Sequence, residues 1–153
     1  MLTEEVKQYV DKSVLCWLAT TSLDHMPNVS PKEAFTYYGD SHIIVANIAS
    51  PQTVENIRQN DSVCISFIDV FVQKGYQLKG KATILEEGDV DFEKRKKCLQ
   101  KLIGDEFPFS SIIDIKVERV KPIIAPKYFL YSETTEQDQI KSAIKMYSSS
   151  MQI

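Results

Sequence analysis

"NVSPKEAFTYYGDSHIIVANIASPQTVENIRQN", residues 28–60, decides the fold. Its first third alternates: Val29, Pro31, Glu33 and Phe35 fall on one parity, and Ser30, Lys32, Ala34 and Thr36 on the other. That period of two predicts a strand over 28–38, and Pro31 marks an edge or a bulge in it. Gly39-Asp40-Ser41 makes a turn into the apolar run "HIIVANI", 42–48. The chain then crosses Ala49 into Ser50-Pro51. Serine is a good N-cap, and proline fits the first helical position because its missing N–H has no intrahelical partner there. Val54 and Ile57, three residues apart, can share an apolar helix face, and Asn60-Asp61 ends the helix.

On the N-terminal side, Val6, Tyr9 and Val10 give Thr3–Asp11 a helical spacing, and "VLCWLATT", 14–21, reads as a buried strand with Trp17 in the core. On the C-terminal side, "SVCISFI", 62–68, is a further strand. In "GYQLKGKATIL", 75–85, Tyr76, Leu78, Gly80, Ala82 and Ile84 share one face. Asp89–Ile103 reads as a helix with Phe92, Leu99 and Ile103 inward, and "IIDIKVERV", 112–120, as the sixth strand. "PIIAPKYFL", 122–130, is irregular and apolar. Ile140, Ala143, Ile144 and Tyr147 mark a last amphipathic helix. Three strands precede the first long crossover, which a parallel α/β sheet does not allow. The expectation is a mainly β (α+β) protein: a six-stranded antiparallel barrel with flanking helices, over residues 1–131, followed by a C-terminal helix and tail, 132–153.

Composition narrows the function. At 153 residues the chain is one domain with a real core. A net charge of −3 gives no nucleic-acid footprint, and the lysines of 93–101 are mixed with acids. No apolar run is long enough to span a bilayer, and the amphipathic start "MLTEEVKQYV" is not a secretory leader. Cys16, Cys64 and Cys98 are widely spaced, with no CxxC and no histidine at ligand spacing. They read as reduced thiols of a cytoplasmic protein. There is no GxGxxG, Walker loop, GxSxG or HExxH motif. His25 falls in a turn and His42 opens a strand, neither with an acid partner in sequence. No self-contained acid–base apparatus is present, so any reaction rests on a cofactor.

The opening stretch offers a place for one. The first turn of a helix has free N–H groups and partial positive charge, and phosphate binds there readily. Ser50, Gln52 and Thr53 can add side-chain hydrogen bonds. The hairpin brings 27–35 beside 45–53, so Lys32 can approach the helix start. The backbone of Val45–Ile48 can pair with a flat heterocycle, and Gly80 permits close approach. As an ordinary capped helix the same junction needs no ligand at all.

The succession "WLATTSLDHMPNVSPKEAFTYYGDSHIIVANIASPQTVENIRQNDSVCISF…GYQLKGKATI" resembles the FMN-binding split-barrel family, also called pyridoxamine 5′-phosphate oxidase-like. The resemblance covers about residues 5–120. It implies a split barrel, bound FMN, and a homodimer with the flavin at the interface. Position by position, Asn28, Val29, Ser30 and Lys32 would line the flavin and its ribityl chain. Val45, Ala46 and Asn47 would meet the ring. Ser50, Gln52 and Thr53 would hold the phosphate, with Asn56 a further contact. Tyr128 and Phe129 would reach across the two-fold axis. It further implies a small flavin-dependent oxidoreductase, or else a flavin carrier or redox sensor; similar barrels take heme or F420. Members that oxidise pyridoxamine phosphate carry a basic pair where this chain has Pro51-Gln52, and an arginine-containing C-terminal motif where it ends "MYSSSMQI". That oxidation is therefore not expected here.

Overall fold

The computed structural model describes residues 1–151. The elements in chain order are α1 (Glu4–Lys12), β1 (Cys16–Thr21), β2 (Pro27–Lys32), β3 (Phe35–Tyr38), β4 (His42–Ala46), α2 (Pro51–Gln59), β5 (Ser62–Asp69), β6 (Lys74–Glu86), α3 (Phe92–Ile103), β7 (Ser111–Ile124), α4 (Lys127–Leu130) and α5 (Glu136–Ser150). The strands form one curled antiparallel sheet in the order β2-β1-β5-β6-β7-β4-β3. Its two edges, β2 and β3, are consecutive in the chain, so the sheet curls until they meet at Glu33-Ala34. This is a half-closed, split barrel.

Seven strands replace the expected six, because 28–38 is not one strand. The backbone turns at Glu33-Ala34, where the Phe35 N–H donates to Glu33 O (3.1 Å) and Ala34 O accepts from Ala46 N–H (2.9 Å). Before the corner, β2 pairs with β1; after it, β3 pairs with β4. A sheet that must curl back on itself needs a corner, and period-two alternation alone does not mark where it falls.

The main core lies inside the barrel. Leu18, Ile43, Ile65, Phe67, Leu78, Ile113 and Ile115 fill it. Val6 and Val10 of α1 close one end, and the Thr3 hydroxyl accepts from Val6 N–H to cap that helix. A second, smaller core lies under α3, where Phe92 and Leu99 meet Ile44, Ala46 and Ile112. Trp17 does not join either core. On β1 the Cys16, Leu18 and Thr20 parity faces inward, and Trp17, opposite Pro31 and Ser66, lies on the outer face, 49% exposed. The inward face expected for β6 holds from Tyr76 to Ala82, with Ile84 partly buried. Gly80, however, serves the sheet itself. A Cβ there would stand 2.0 Å from Lys116 O, at the register shift that separates the Lys79–Arg119 pair from the Gly80–Val117 pair.

The last helix also differs from expectation. On α5 only Gln139 and Ala143 are buried, while Ile144 and Tyr147 stay exposed. A capping box between Thr135 and Asp138 starts the helix, and the Lys74–Glu136 ion pair (2.7 Å) and the Tyr147–Phe71 edge contact tie it to the barrel. No described helix is long and apolar enough to cross a membrane.

Candidate functional site

The polar junction is built from one face of β2 and the first turn of α2. On β2 the alternation puts Asn28, Ser30 and Lys32 inward, and leaves Pro27, Val29 and Pro31 exposed. The inward row meets the start of α2. The Ser30 and Thr53 hydroxyls lie 3.1 Å apart, and the Asn28 amide makes long contacts, 3.5 Å, to Thr53 Oγ1 and Thr20 Oγ1. Asn56, fully buried, donates to Thr20 Oγ1 (3.0 Å) and accepts from Gln52 Nε2 (2.9 Å).

Lys32 ends this row. It is 6% exposed, and its Nζ donates to Ser50 Oγ. No carboxylate lies within ion-pair distance of it among the described residues. Burial therefore pushes its pKa down from the usual lysine range. The neighbouring Cys16 thiol, also buried, is pushed up to about 12.

Ser50 occupies the N-cap position expected of it, but its side chain does not cap α2. Its hydroxyl accepts from Lys32 and donates to Ile48 O (3.3 Å) instead. Just before it, Ala49 holds a left-handed φ of 50°, an uncommon conformation for a residue with a Cβ. The first turn of α2 thus presents backbone N–H groups without a side-chain cap, beside a buried ammonium.

Asn47 stands at the end of β4. Its amide donates to Ser111 Oγ (2.8 Å), while its Oδ1 is buried without a partner. Beyond Lys32 a cleft of about 450 Å³ opens, walled by Ala34, Ala46, Ile48, Ile103 and Phe107. The Val45 side chain is wholly within the barrel core, and the Val29 side chain points to the opposite face of β2, 56% exposed. The structure thus gathers Asn28, Ser30, Lys32, Ser50, Gln52, Thr53 and Asn56 in one network, with Ala46 and Asn47 at its edge and Val29 and Val45 turned elsewhere. Tyr128 uses its hydroxyl within the chain, donating to Val72 O (2.8 Å), while Phe129 is 72% exposed.

Two groups of residues escaped the sequence reading. Thr20 receives hydrogen bonds from both Asn28 and Asn56; its inward parity with Cys16 and Leu18 was the available signal. His42 does have an acid partner. Its Nδ1 lies 2.7 Å from Asp114 Oδ1, 72 positions away in sequence, and Asp114 Oδ2 lies 2.7 Å from Arg95 Nε. No local motif could join residues so far apart.

A buried ammonium without a counter-ion and an uncapped helix start, beside an apolar cleft, are what a phosphorylated heterocycle such as FMN would satisfy. The residues present fit that group.

The family model described as pyridoxamine 5′-phosphate oxidase matches residues 2–123. Among solved structures, HupZ of Group A Streptococcus is 30% identical, with 78% of this chain and 92% of that one covered at a TM-score of 0.68. An FMN-binding protein from Syntrophomonas wolfei subsp. wolfei shares the fold at 16% identity, 80% and 86% coverage and a TM-score of 0.66. HutZ, the heme storage protein from Vibrio cholerae, shares it at 18% identity, 81% and 95% coverage and a TM-score of 0.62. No curated protein matches the chain.

Proposed function

Because the chain belongs to the pyridoxamine 5′-phosphate oxidase family, we propose that it binds FMN and acts as a small flavin-dependent oxidoreductase. The observation that carries this reading is Lys32. A buried ammonium with a single hydroxyl for company is costly unless an anion completes it. A phosphate at the start of α2 would meet Lys32, the free N–H groups and the Thr53 and Ser50 hydroxyls. Asn28 and Ser30 would border the ribityl chain. The cleft at Ala46 and Ile48 would take the ring.

Bound flavin supplies reversible hydride and electron transfer. The chain's own part is to hold the phosphate, orient the ring and keep water from one of its faces. No side chain in the network is placed as a general base: Lys32 beside a phosphate stays protonated, and the rest are amides and hydroxyls. A homodimer belongs to the same reading, with the exposed Phe129 and its neighbours covered by a second copy.

The test is the absorption spectrum of the purified protein, followed by FMN titration of the wild type, Lys32→Met and Thr53→Ala. Flavin bands and a tight FMN complex are expected, with each variant weaker by about 1–3 kcal/mol. Both side chains would touch one phosphate, so the double variant should lose less than the sum. A Soret band in place of flavin bands, or equal FMN affinity in the double variant and the wild type, would overturn the proposal. Steady-state NAD(P)H oxidation by the FMN-loaded protein then separates an enzyme from a carrier.

A further inference from the structure

We propose that Arg95, Asp114 and His42 are positioning residues, a clamp that fixes the outer wall of the ligand cleft by locking α3 onto the sheet. The proposal rests on the reading that the cleft takes a flavin ring.

Asp114, on β7, is buried, and each of its carboxylate oxygens is engaged. Oδ1 faces His42 Nδ1 at 2.7 Å within a hydrogen bond, and Oδ2 lies 2.7 Å from Arg95 Nε as an ion pair without hydrogen-bond alignment. A carboxylate only accepts, so the His42 proton sits on Nδ1. Arg95 is itself buried; its guanidinium stacks on the Tyr38 ring at 4.4 Å, and its Nη1 lies 3.7 Å from Asp91, the N-cap residue of α3. Asp91 is held in turn by Lys94 at 2.9 Å. One helix is thereby tied to two strands, β3 through Tyr38 and β7 through Asp114, and His42 of β4 holds Asp114 from the other side.

The other end of the same helix forms the cleft. Arg95, Leu99 and Ile103 follow at intervals of four and lie on one stripe of α3. Leu99 is fully buried in the second core. Ile103 faces Ala46 and Ile48 across the cleft, and Phe107, just past the helix end at Gly104, adds to the wall. A slide or turn of α3 would carry Ile103 and Phe107 with it. Apolar packing at Phe92 and Leu99 is non-directional and does not by itself select one register of the helix. The Arg95–Asp114 ion pair and the seat of the guanidinium on Tyr38 add fixed points that such packing lacks. Replacing such a buried pair by apolar or neutral groups is often tolerated in stability, so its effect is separable from folding.

The experiment measures dissociation constants for FMN and for riboflavin, which lacks the phosphate, with wild type, Lys32→Met and the double variant Arg95→Met/Asp114→Asn. The double variant should weaken both flavins about tenfold while leaving their ratio unchanged. Lys32→Met should collapse the ratio. Unchanged affinity for both flavins in the double variant, or a loss confined to FMN, overturns the clamp. A wild type that binds neither flavin overturns the reading of the site, and the clamp with it. Should the double variant not fold, His42→Gln, at a partly exposed position, is expected to weaken both flavins about threefold; no change there also overturns the clamp.

Discussion

At the scale of single residues, Lys32 sets a pH dependence with a definite sign. Burial disfavours its charged form, so in the free folded protein it loses its proton at a lower pH than in the unfolded chain. Stability from this group therefore rises as pH climbs from the folded to the unfolded pKa, where the penalty for a buried charge disappears. A bound phosphate does the reverse and favours the charged form. FMN affinity should fall as pH rises through the free-protein Lys32 pKa, which burial holds below that of an ordinary lysine. In Lys32→Met the affinity should be lower at neutral pH and flat across that window; a wild type that is equally flat would remove Lys32 from the site. Cys16, wholly buried and pushed up to about 12, should resist thiol reagents in the native protein and react only on unfolding, as thiol counts with and without denaturant would read. The two residues are register partners across β1 and β2. Alternation in 28–32 made Lys32 legible in the sequence, because a cation on the same parity as Ser30 must share its direction. The same rule, applied to "CWLATT", would have turned Trp17 outward and Thr20 inward.

At the scale of elements, the sequence showed the long helices and most strands by their period, but not the short α4 and the end of β7, both in the stretch 122–130 read as irregular, nor the places where the sheet bends. The corner at Glu33-Ala34 carries neither glycine nor proline, and its cause is closure of the barrel, a property of the whole sheet. Gly80 was legible as a residue needing close approach. What approaches it is Lys116 O of the neighbouring strand, at a bulge in the antiparallel β6–β7 pair. Gly80→Ala should therefore destabilise the fold by about 2–4 kcal/mol, since backbone rather than a flexible side chain stands in the way. Gly39→Ala, where nothing lies near the added Cβ but φ is 60°, should cost about 1 kcal/mol from conformation alone. Chemical denaturation of both variants checks the ranking, and a Gly80→Ala protein as stable as wild type would deny the close approach. The Arg95–Asp114–His42 cluster lay beyond sequence reading for a related reason. Its members sit on α3, β7 and β4, and only the completed sheet order places β4 beside β7.

At the scale of the whole molecule, the apolar surface is unevenly spread. Trp17, Val70 and Phe71 rim a groove along β1 and β5 that also takes in Val14 and Ile123. Phe129, Leu130 and Tyr131 stand exposed at α4, and Ile144 and Met146 on α5. Isolated exposed apolar side chains are ordinary, but this many large ones around the end of β7 exceed what a lone monomer usually shows. The homodimer proposed above would cover them, and burial of a stable interface of about 1,600 Å² needs such an apolar centre. Tyr128 is already engaged with Val72 and Lys74 of its own chain, so Phe129 and Leu130 are the better anchors. Sedimentation at micromolar concentration should show a dimer for the wild type. Phe129→Asp should shift it toward monomer, with a dissociation constant at least about tenfold weaker, because a carboxylate would be buried unpaired at the interface. The exposed position makes the substitution harmless to the fold itself, so its thermal midpoint at low concentration should match that of diluted wild type. If the flavin lies at the interface, as the family resemblance implies, the monomeric variant should also lose FMN affinity. A wild type that sediments as a monomer while holding FMN would show that one copy suffices for the site.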